Sequence, residues 1–317
     1  MKKRALGRTG IDIAPLVLGT NVFGWTADEP TAFRLLDAFI DHGFNAIDTA
    51  DVYSSWAPGN KGGESETIIG NWLKARPGIR DKVVVMTKVG SDLGQPGKKG
   101  LSERWILQAA EESLARFGID RIDVYFSHWP DAATPYEETL RAYEKLIAAG
   151  KVRSIGASNL DAAQLAEALD VAGRNGLPRY DVLQPEYNLF ARSGFEGTLQ
   201  DLCLSAEIGV VTYYSLASGF LTGKYRSEAD LGQSPRGGGI ASYMNDRGFA
   251  ILATLDEVAA AHHANATEIA LAWLMARPGV TAPIASATSV AQLQNFAKAA
   301  ELTLTSEQIA RLDATGP

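Results

Sequence analysis

Short apolar runs alternate along this chain with longer stretches whose apolar residues recur every three to four positions. The runs cover residues 15–19, 44–47, 82–87, 122–127, 152–157, 182–185, 210–214 and 280–285. Most are continuous and rich in Val and Ile, the pattern of parallel strands buried on both faces. The stretches between them read as helices over 31–42, 64–74, 102–117, 136–149, 161–174, 267–275 and 289–300. Ser102, three residues before Trp105, and Asp161 stand where N-caps belong, and Gly150 and Gly176 stand where helices stop.

Units of roughly 30 to 40 residues, repeated about eight times, predict an α/β fold, a (β/α)8 TIM barrel, with residues 1–317 as a single domain. A doubly wound sheet is the runner-up, disfavoured because no Gly-x-Gly-x-x-Gly follows the first strand. Three stretches break the rhythm. Residues 1–12 predict an N-terminal β-hairpin around Gly7 to Gly10 that plugs the barrel bottom. Residues 53–63, rich in small residues, predict a mobile loop over the mouth, and 224–247 a flap.

Composition narrows the class. A length of 317 residues with 46% hydrophobic content supplies a large core, and 21% charged residues do not suit a disordered chain. A net charge of -7 without a basic run argues against nucleic acid. The apolar stretch after Met1-Lys-Lys-Arg4 is short and broken by Pro15 and Gly19, fitting neither a signal peptide nor a membrane span. The single cysteine, Cys203, forms no internal disulfide, sits among apolar neighbours, and suits a reducing cytoplasm. The four histidines offer no metal set.

In a parallel barrel the chemistry sits where strands end, so those positions carry the functional reading. The run 44–47 ends on Asp48, and Tyr53 follows in the loop. Lys88 follows Val83 to Met86, and His128 ends an otherwise apolar run. Alone, Asp48 also reads as an N-cap or loop carboxylate, Tyr53 as a half-buried loop aromatic, Lys88 as a lysine reaching solvent, and His128 as a satisfied core residue. Together they form an acid–base set: a phenol that donates a proton, a cation that lowers its pKa, a carboxylate that holds the cation, and an imidazole that orients a substrate.

At this point the chain resembles the aldo-keto reductases over essentially its full length. The resemblance is carried by Asn45-Ala-Ile-Asp-Thr-Ala-Asp-Val-Tyr53, Val85-Met-Thr-Lys88, Asp123-Val-Tyr-Phe-Ser-His-Trp-Pro130, Gly150-Lys-Val-Arg-Ser-Ile-Gly-Ala-Ser-Asn159, Gln184-Pro-Glu-Tyr-Asn188 and Leu221-Thr-Gly-Lys-Tyr225. It implies a barrel that binds a nicotinamide cofactor without a Rossmann fold, with Asp48, Tyr53, Lys88 and His128 as the catalytic tetrad and Tyr53 as general acid/base. It also implies that Ser158, Asn159 and Gln184 meet the carboxamide, that Tyr214 lies under the nicotinamide ring, and that Ser215, Leu216, Ala217 and Ser218 run along the pyrophosphate.

For the adenosine end it points to Ser286, Thr288 and Gln292, in a segment that lacks Lys or Arg; the family's following Asn is here Phe296, with Asn295 one position early. The chain is also similar to the branch that includes potassium-channel beta subunits, where a lysine and an arginine approach the cofactor phosphates; Lys224 and Arg236 fit those positions. The resemblance thus implies NADP(H), with NAD(H) as the alternative, and a small carbonyl or alcohol substrate. Phe23, Trp25, Trp56, Trp129 and Phe190 are expected to line the pocket, suiting apolar or ring-shaped carbonyls and sugar faces. A cofactor-binding regulatory subunit, or a barrel isomerase or lyase without redox chemistry, are the rival functions.

Overall fold

The structure, a computed structural model, describes residues 1–233 and 239–316. Arg236 lies outside the described residues. Eight parallel strands close into a barrel: β3 (Val17–Gly19), β4 (Ala46–Asp48), β5 (Val84–Val89), β6 (Ile122–Ser127), β7 (Val152–Ser158), β8 (Val182–Gln184), β9 (Gly209–Thr212) and β10 (Val280–Ala285). They pair in chain order, and β10 closes on β3 through Ile284 opposite Val17. Each falls on one of the eight predicted runs. Before them, β1 (Arg4–Ala5) and β2 (Asp12–Ile13) form the expected antiparallel hairpin.

The helices are α1 (Glu29–Asp41), α2 (Glu64–Ala75), α3 (Glu103–Phe117), α4 (Tyr136–Ala148), α5 (Ala162–Asn175), α6 (Thr198–Ser205), α7 (Asp246–His262), α8 (Ala266–Met275), α9 (Val290–Glu301) and α10 (Ser306–Asp313). Ser102 caps α3 by accepting from the Trp105 N–H, and Asp161 caps α5 in a reciprocal box with Gln164. The sequence reading leaves out α6, α7 and α10. α7 starts inside the stretch read as a flap, where its buried ladder Ile251, Leu252, Leu255, Val258 and Ala259 has helical spacing. Among the described residues no helix is long and apolar enough to cross a membrane.

Strand parity organises the interior. Successive side chains point to opposite faces, so Ala46 and Asp48 share one face, as do Val84, Met86 and Lys88, and Val182 and Gln184. Ala46, Val84, Met86, Val124, Phe126, Val182, Val211, Ala282 and Ile284 form one interior cluster, closed by Leu6, Ile11 and Ile13 of the hairpin region. The hairpin is the expected plug. A Cβ on inward-facing Gly156 would stand 2.5 Å from the Phe126 ring, so glycine there is what lets the ring fill the barrel. The residues of opposite parity, Val83 and Val85 among them, pack outward on α1 and α2.

Behind β5 lies a buried polar cluster. Glu66 of α2 accepts from the Thr87 hydroxyl (2.5 Å) and from Arg116 Nε (2.6 Å). Asp51 is 1% exposed, and neither carboxyl oxygen has a hydrogen-bond partner among the described residues. Burial, followed by the Glu66 carboxylate, pushes its pKa well above the usual carboxylate value of 3.8.

Two stability predictions follow from these contacts. A Cβ on Gly7 (φ 55°) would lie 2.4 Å from Asp181 O and 2.5 Å from Gly209 N, whereas one on Gly10 (φ 67°) meets nothing closer than 3.8 Å. Gly7→Ala is expected to cost roughly 2–4 kcal/mol and Gly10→Ala about 1 kcal/mol in urea denaturation, since only the first adds a clash to the left-handed backbone. Because the native state holds the Asp51 proton more tightly than the unfolded chain, the Asp51 contribution to stability is complete below pH 3.8 and is lost as pH rises through the folded value. Asp51→Asn, which cannot ionise, should therefore match or exceed the wild type by ~1–2 kcal/mol at pH 7.5, with a smaller gain at pH 5. A loss that is constant with pH would contradict this.

Candidate active site

The carboxyl ends of the strands open into a cleft of about 1350 Å³. At its floor the polar members of the inward parity meet. Lys88 Nζ donates to Asp48 Oδ2 at 2.7 Å, to the Thr49 carbonyl at 2.8 Å and to the Tyr53 hydroxyl at 2.8 Å. The second Asp48 oxygen, Oδ1, accepts from Gln184 Nε2 at 2.8 Å. The side chains of Lys88 and Asp48 are 0% and 2% exposed, so both are sealed beneath Tyr53.

Tyr53 is half-buried, its hydroxyl turned onto Lys88 and 3.4 Å from Asp48 Oδ2. Burial and then the Asp48 carboxylate push the phenol well above its ordinary pKa of 10. Sequence reasoning expects the neighbouring cation to lower it. In this enclosure desolvation and the carboxylate outweigh the lysine, and the phenol holds its proton. Burial also lowers Lys88, with Asp48 pulling the other way. His128 follows β6, its backbone N–H donating to the Val89 carbonyl (2.8 Å) and its ring 6.1 Å from Tyr53 between centroids. Burial, and next the Lys88 charge, hold it well below 6.5, so the imidazole is neutral near pH 7.

Ser158, at the end of β7, donates to the Gln184 carbonyl (2.8 Å). Asn159 donates to the His128 carbonyl (2.9 Å) and accepts from the Tyr213 hydroxyl (2.6 Å). These links tie the ends of β6, β7, β8 and β9 into one rim. Tyr214 stands on that rim, 51% exposed. Five of the seven described non-glycine residues with positive φ are at or beside the mouth: Ser54, Asn159, Tyr214, Ala217 and Ser218. Such backbone costs about 1–3 kcal/mol per residue and concentrates where a ligand is held.

Of the residues singled out from sequence, Asp48, Tyr53, His128, Ser158, Asn159, Gln184, Tyr214, Ser215, Leu216, Ser218, Lys224, Ser286, Thr288 and Gln292 line this cleft, as do Trp25, Trp56 and Trp129. Asn295 and Phe296 line it too. Three placements differ from expectation. Phe190 does not line the cleft and packs edge-on against Tyr243, 5.0 Å between ring centroids. Phe23 is fully buried in the core on the α1 and α2 side, where its carbonyl accepts from Ser54 Oγ (2.6 Å). Ala217 is fully buried beneath its turn instead of lining the cleft. The 53–63 loop is tied down: Asn60 Nδ2 donates to both Gly24 O and Ser54 O at 2.9 Å. Sequence reasoning misses Ser91 and Asn21, which also line the cleft; neither ends an apolar run as a charged residue.

Comparison with known proteins gives the same framework. The family model described as "Aldo/keto reductase family" matches residues 15–316. An Arabidopsis thaliana protein named "Probable voltage-gated potassium channel subunit beta" is 34% identical over 310 residues, 95% of this chain and 92% of that protein. "Uncharacterized oxidoreductase YrpG" of Bacillus subtilis is 34% identical over 319 residues, 99% and 95% of the two chains. "Protein tas" of Escherichia coli is 29% identical over 342 residues, 99% and 97%. Because the match spans residues 15–316, from β3 to the last helix, the chain belongs to the aldo/keto reductase family and is thereby an oxidoreductase.

Proposed function

We propose that the chain interconverts aldehydes or ketones and their alcohols with a nicotinamide dinucleotide, NADP(H) in preference to NAD(H), using Tyr53 as the general acid/base. The observation that carries this is Lys88 Nζ bridging Asp48 and Tyr53 on the floor of an aromatic-walled cleft. The family generally uses nicotinamide cofactors, and the rim fits one. Ser158, Asn159 and Gln184 offer amide and hydroxyl groups beside the exposed Tyr214 face, and the positive-φ run Ala217, Ser218 and Gly219 turns the backbone sharply at the cleft, which Ser218 and Gly219 line. Ser286, Thr288, Gln292 and Lys224 line the cleft beyond it. When bound, the cofactor supplies or accepts the hydride.

The protein's own part is acid–base and electrostatic. Tyr53, kept protonated by its surroundings, gives its hydroxyl proton to the carbonyl oxygen in reduction. Lys88 Nζ then stabilises the phenolate oxygen that remains, and Asp48 fixes the lysine. Neutral His128 orients the carbonyl oxygen. Aromatic walls at Trp25, Trp56 and Trp129, with Trp56 and Trp129 each 49% exposed, suit apolar or ring-shaped substrates. The beta-subunit name of a 34% identical relative favours a second reading, in which the bound nucleotide signals to a partner protein with little turnover.

Tyr53→Phe is expected to lower carbonyl reduction by at least 100-fold while leaving cofactor affinity within about threefold, as measured by quenching of Trp fluorescence. Unchanged turnover would remove Tyr53 from the mechanism. Absence of turnover in the wild type across a broad carbonyl panel, with tight cofactor binding retained, would favour the second reading. In the same titration NADPH should bind more tightly than NADH, and Lys224→Ala should weaken NADPH by roughly tenfold with little effect on NADH. A preference for NADH would assign cofactor choice to the uncharged 286–292 segment.

A further inference from the structure

His128 has a neighbour that the acid–base set does not include. β5 ends at Val89, and Gly90 breaks the strand with φ 116°. A Cβ on Gly90 would lie 2.9 Å from Leu101, so this turn belongs to glycine. The turn sets Ser91, itself buried, with its Oγ 3.0 Å from His128 Nδ1. The same Oγ accepts from Trp129 Nε1 at 3.1 Å. Trp129 lies nearly parallel to the His128 ring, at 10° and 5.8 Å between centroids. Three side chains from two adjacent strand ends thus share one hydroxyl oxygen.

The donor count decides the direction of these bonds. An indole N–H only donates, so Trp129 occupies one lone pair of Ser91 Oγ. The single Ser91 proton then needs an acceptor, and His128 Nδ1 is the one within reach among its described contacts. If Nδ1 carried the imidazole proton, Ser91 Oγ would face two N–H groups, and its own hydrogen would have to turn away from both toward the cleft, giving up its protein acceptor. With Nδ1 accepting, the imidazole proton sits on Nε2, the nitrogen left for the cleft.

We propose that Ser91 is a positioning residue that holds His128 as the Nε2–H tautomer, and that the Trp129 indole sets the direction of the Ser91 hydroxyl. His128 is neutral, so the tautomer decides whether it meets a carbonyl oxygen with a hydrogen or with a lone pair. The half-exposed face of Trp129 lines the cleft; a flat substrate resting on it presses on the group that orients the proton. The kinetic consequence rests on the proposed reductase reading, but the tautomer does not.

The test uses the full-length, uniformly 15N-labelled protein. Long-range 1H–15N correlation spectra at pH 7 report the His128 tautomer, assigned by the loss of its signals in His128→Gln. The wild type should show Nε2–H. Ser91→Ala should mix the tautomers or reverse them, Ser91→Thr should restore the wild-type pattern, and Trp129→Phe should weaken the preference while keeping an aromatic wall. For carbonyl reduction, Ser91→Ala should lower kcat by roughly tenfold with a smaller change in KM, and Ser91→Thr should recover most of it. An Nδ1–H pattern in the wild type overturns the proposal, whether or not any variant folds poorly, and so does an unchanged tautomer in folded Ser91→Ala. An unchanged spectrum in Trp129→Phe removes the indole from it. Complete lack of turnover in the wild type alongside an Nε2–H, Ser91-dependent histidine would sink the reductase reading and leave this one standing.

Discussion

The structure depends on one buried ion pair. Lys88 and Asp48 are both withdrawn from water, and each charge would be costly to bury alone. The barrel meets that cost by surrounding the pair with groups that complete its hydrogen bonds: the Thr49 carbonyl and Tyr53 hydroxyl on the lysine, and the Gln184 amide on the carboxylate. Removing either charge leaves the other stranded, which ties the placement of β4, β5 and β8 to the proton-bearing phenol above them. The groups expected to do the chemistry are therefore also those that set the register of the upper barrel.

Parity explains how one scaffold holds an apolar interior and a polar mouth. Along β5 the inward positions run Val84, Met86, Lys88; along β4, Ala46 then Asp48; along β8, Val182 then Gln184. The lower members fill the barrel with the hairpin residues, and the last member of each strand presents a functional group. Nothing in the fold has to be distorted to bring these groups together. Strain is stored instead in the loops just beyond, at Asn159, Tyr214 and Ala217–Ser218.

The same feature accounts for what could be read in the sequence. The strands were legible as runs because both their faces are apolar, which also hid which residues point inward; polarity appears only at the strand ends, and there Asp48, Lys88 and His128 stand out. Loop residues carry no such periodic signal. Phe23 looks like a pocket aromatic and is core, because Ser54 and Asn60 draw the next loop down over its segment. Ala217 sits in a stretch that borders the cleft by its neighbours and backbone and not by its side chain. Ser91 and Asp51, one a small polar loop residue and the other three positions past Asp48, acquire their meaning only from what α2, α3 and Trp129 place against them. For α7 the spacing was present, but it begins inside a glycine-rich stretch that reads as loop.

The hairpin at the start of the chain carries a consequence for synthesis. Arg4 donates to the carbonyls of Val280 and Thr281, and Gly7 sits against Asp181 and Gly209. The hairpin segment is made well before β10 and therefore completes its contacts only when that strand has been made. Until then Leu6, Ile11 and Ile13 have no closed barrel to fill, and these apolar side chains wait uncovered for β10. A seal that is finished last suits a barrel that closes in one step, and it places the window for misassembly before the final strand and not after it.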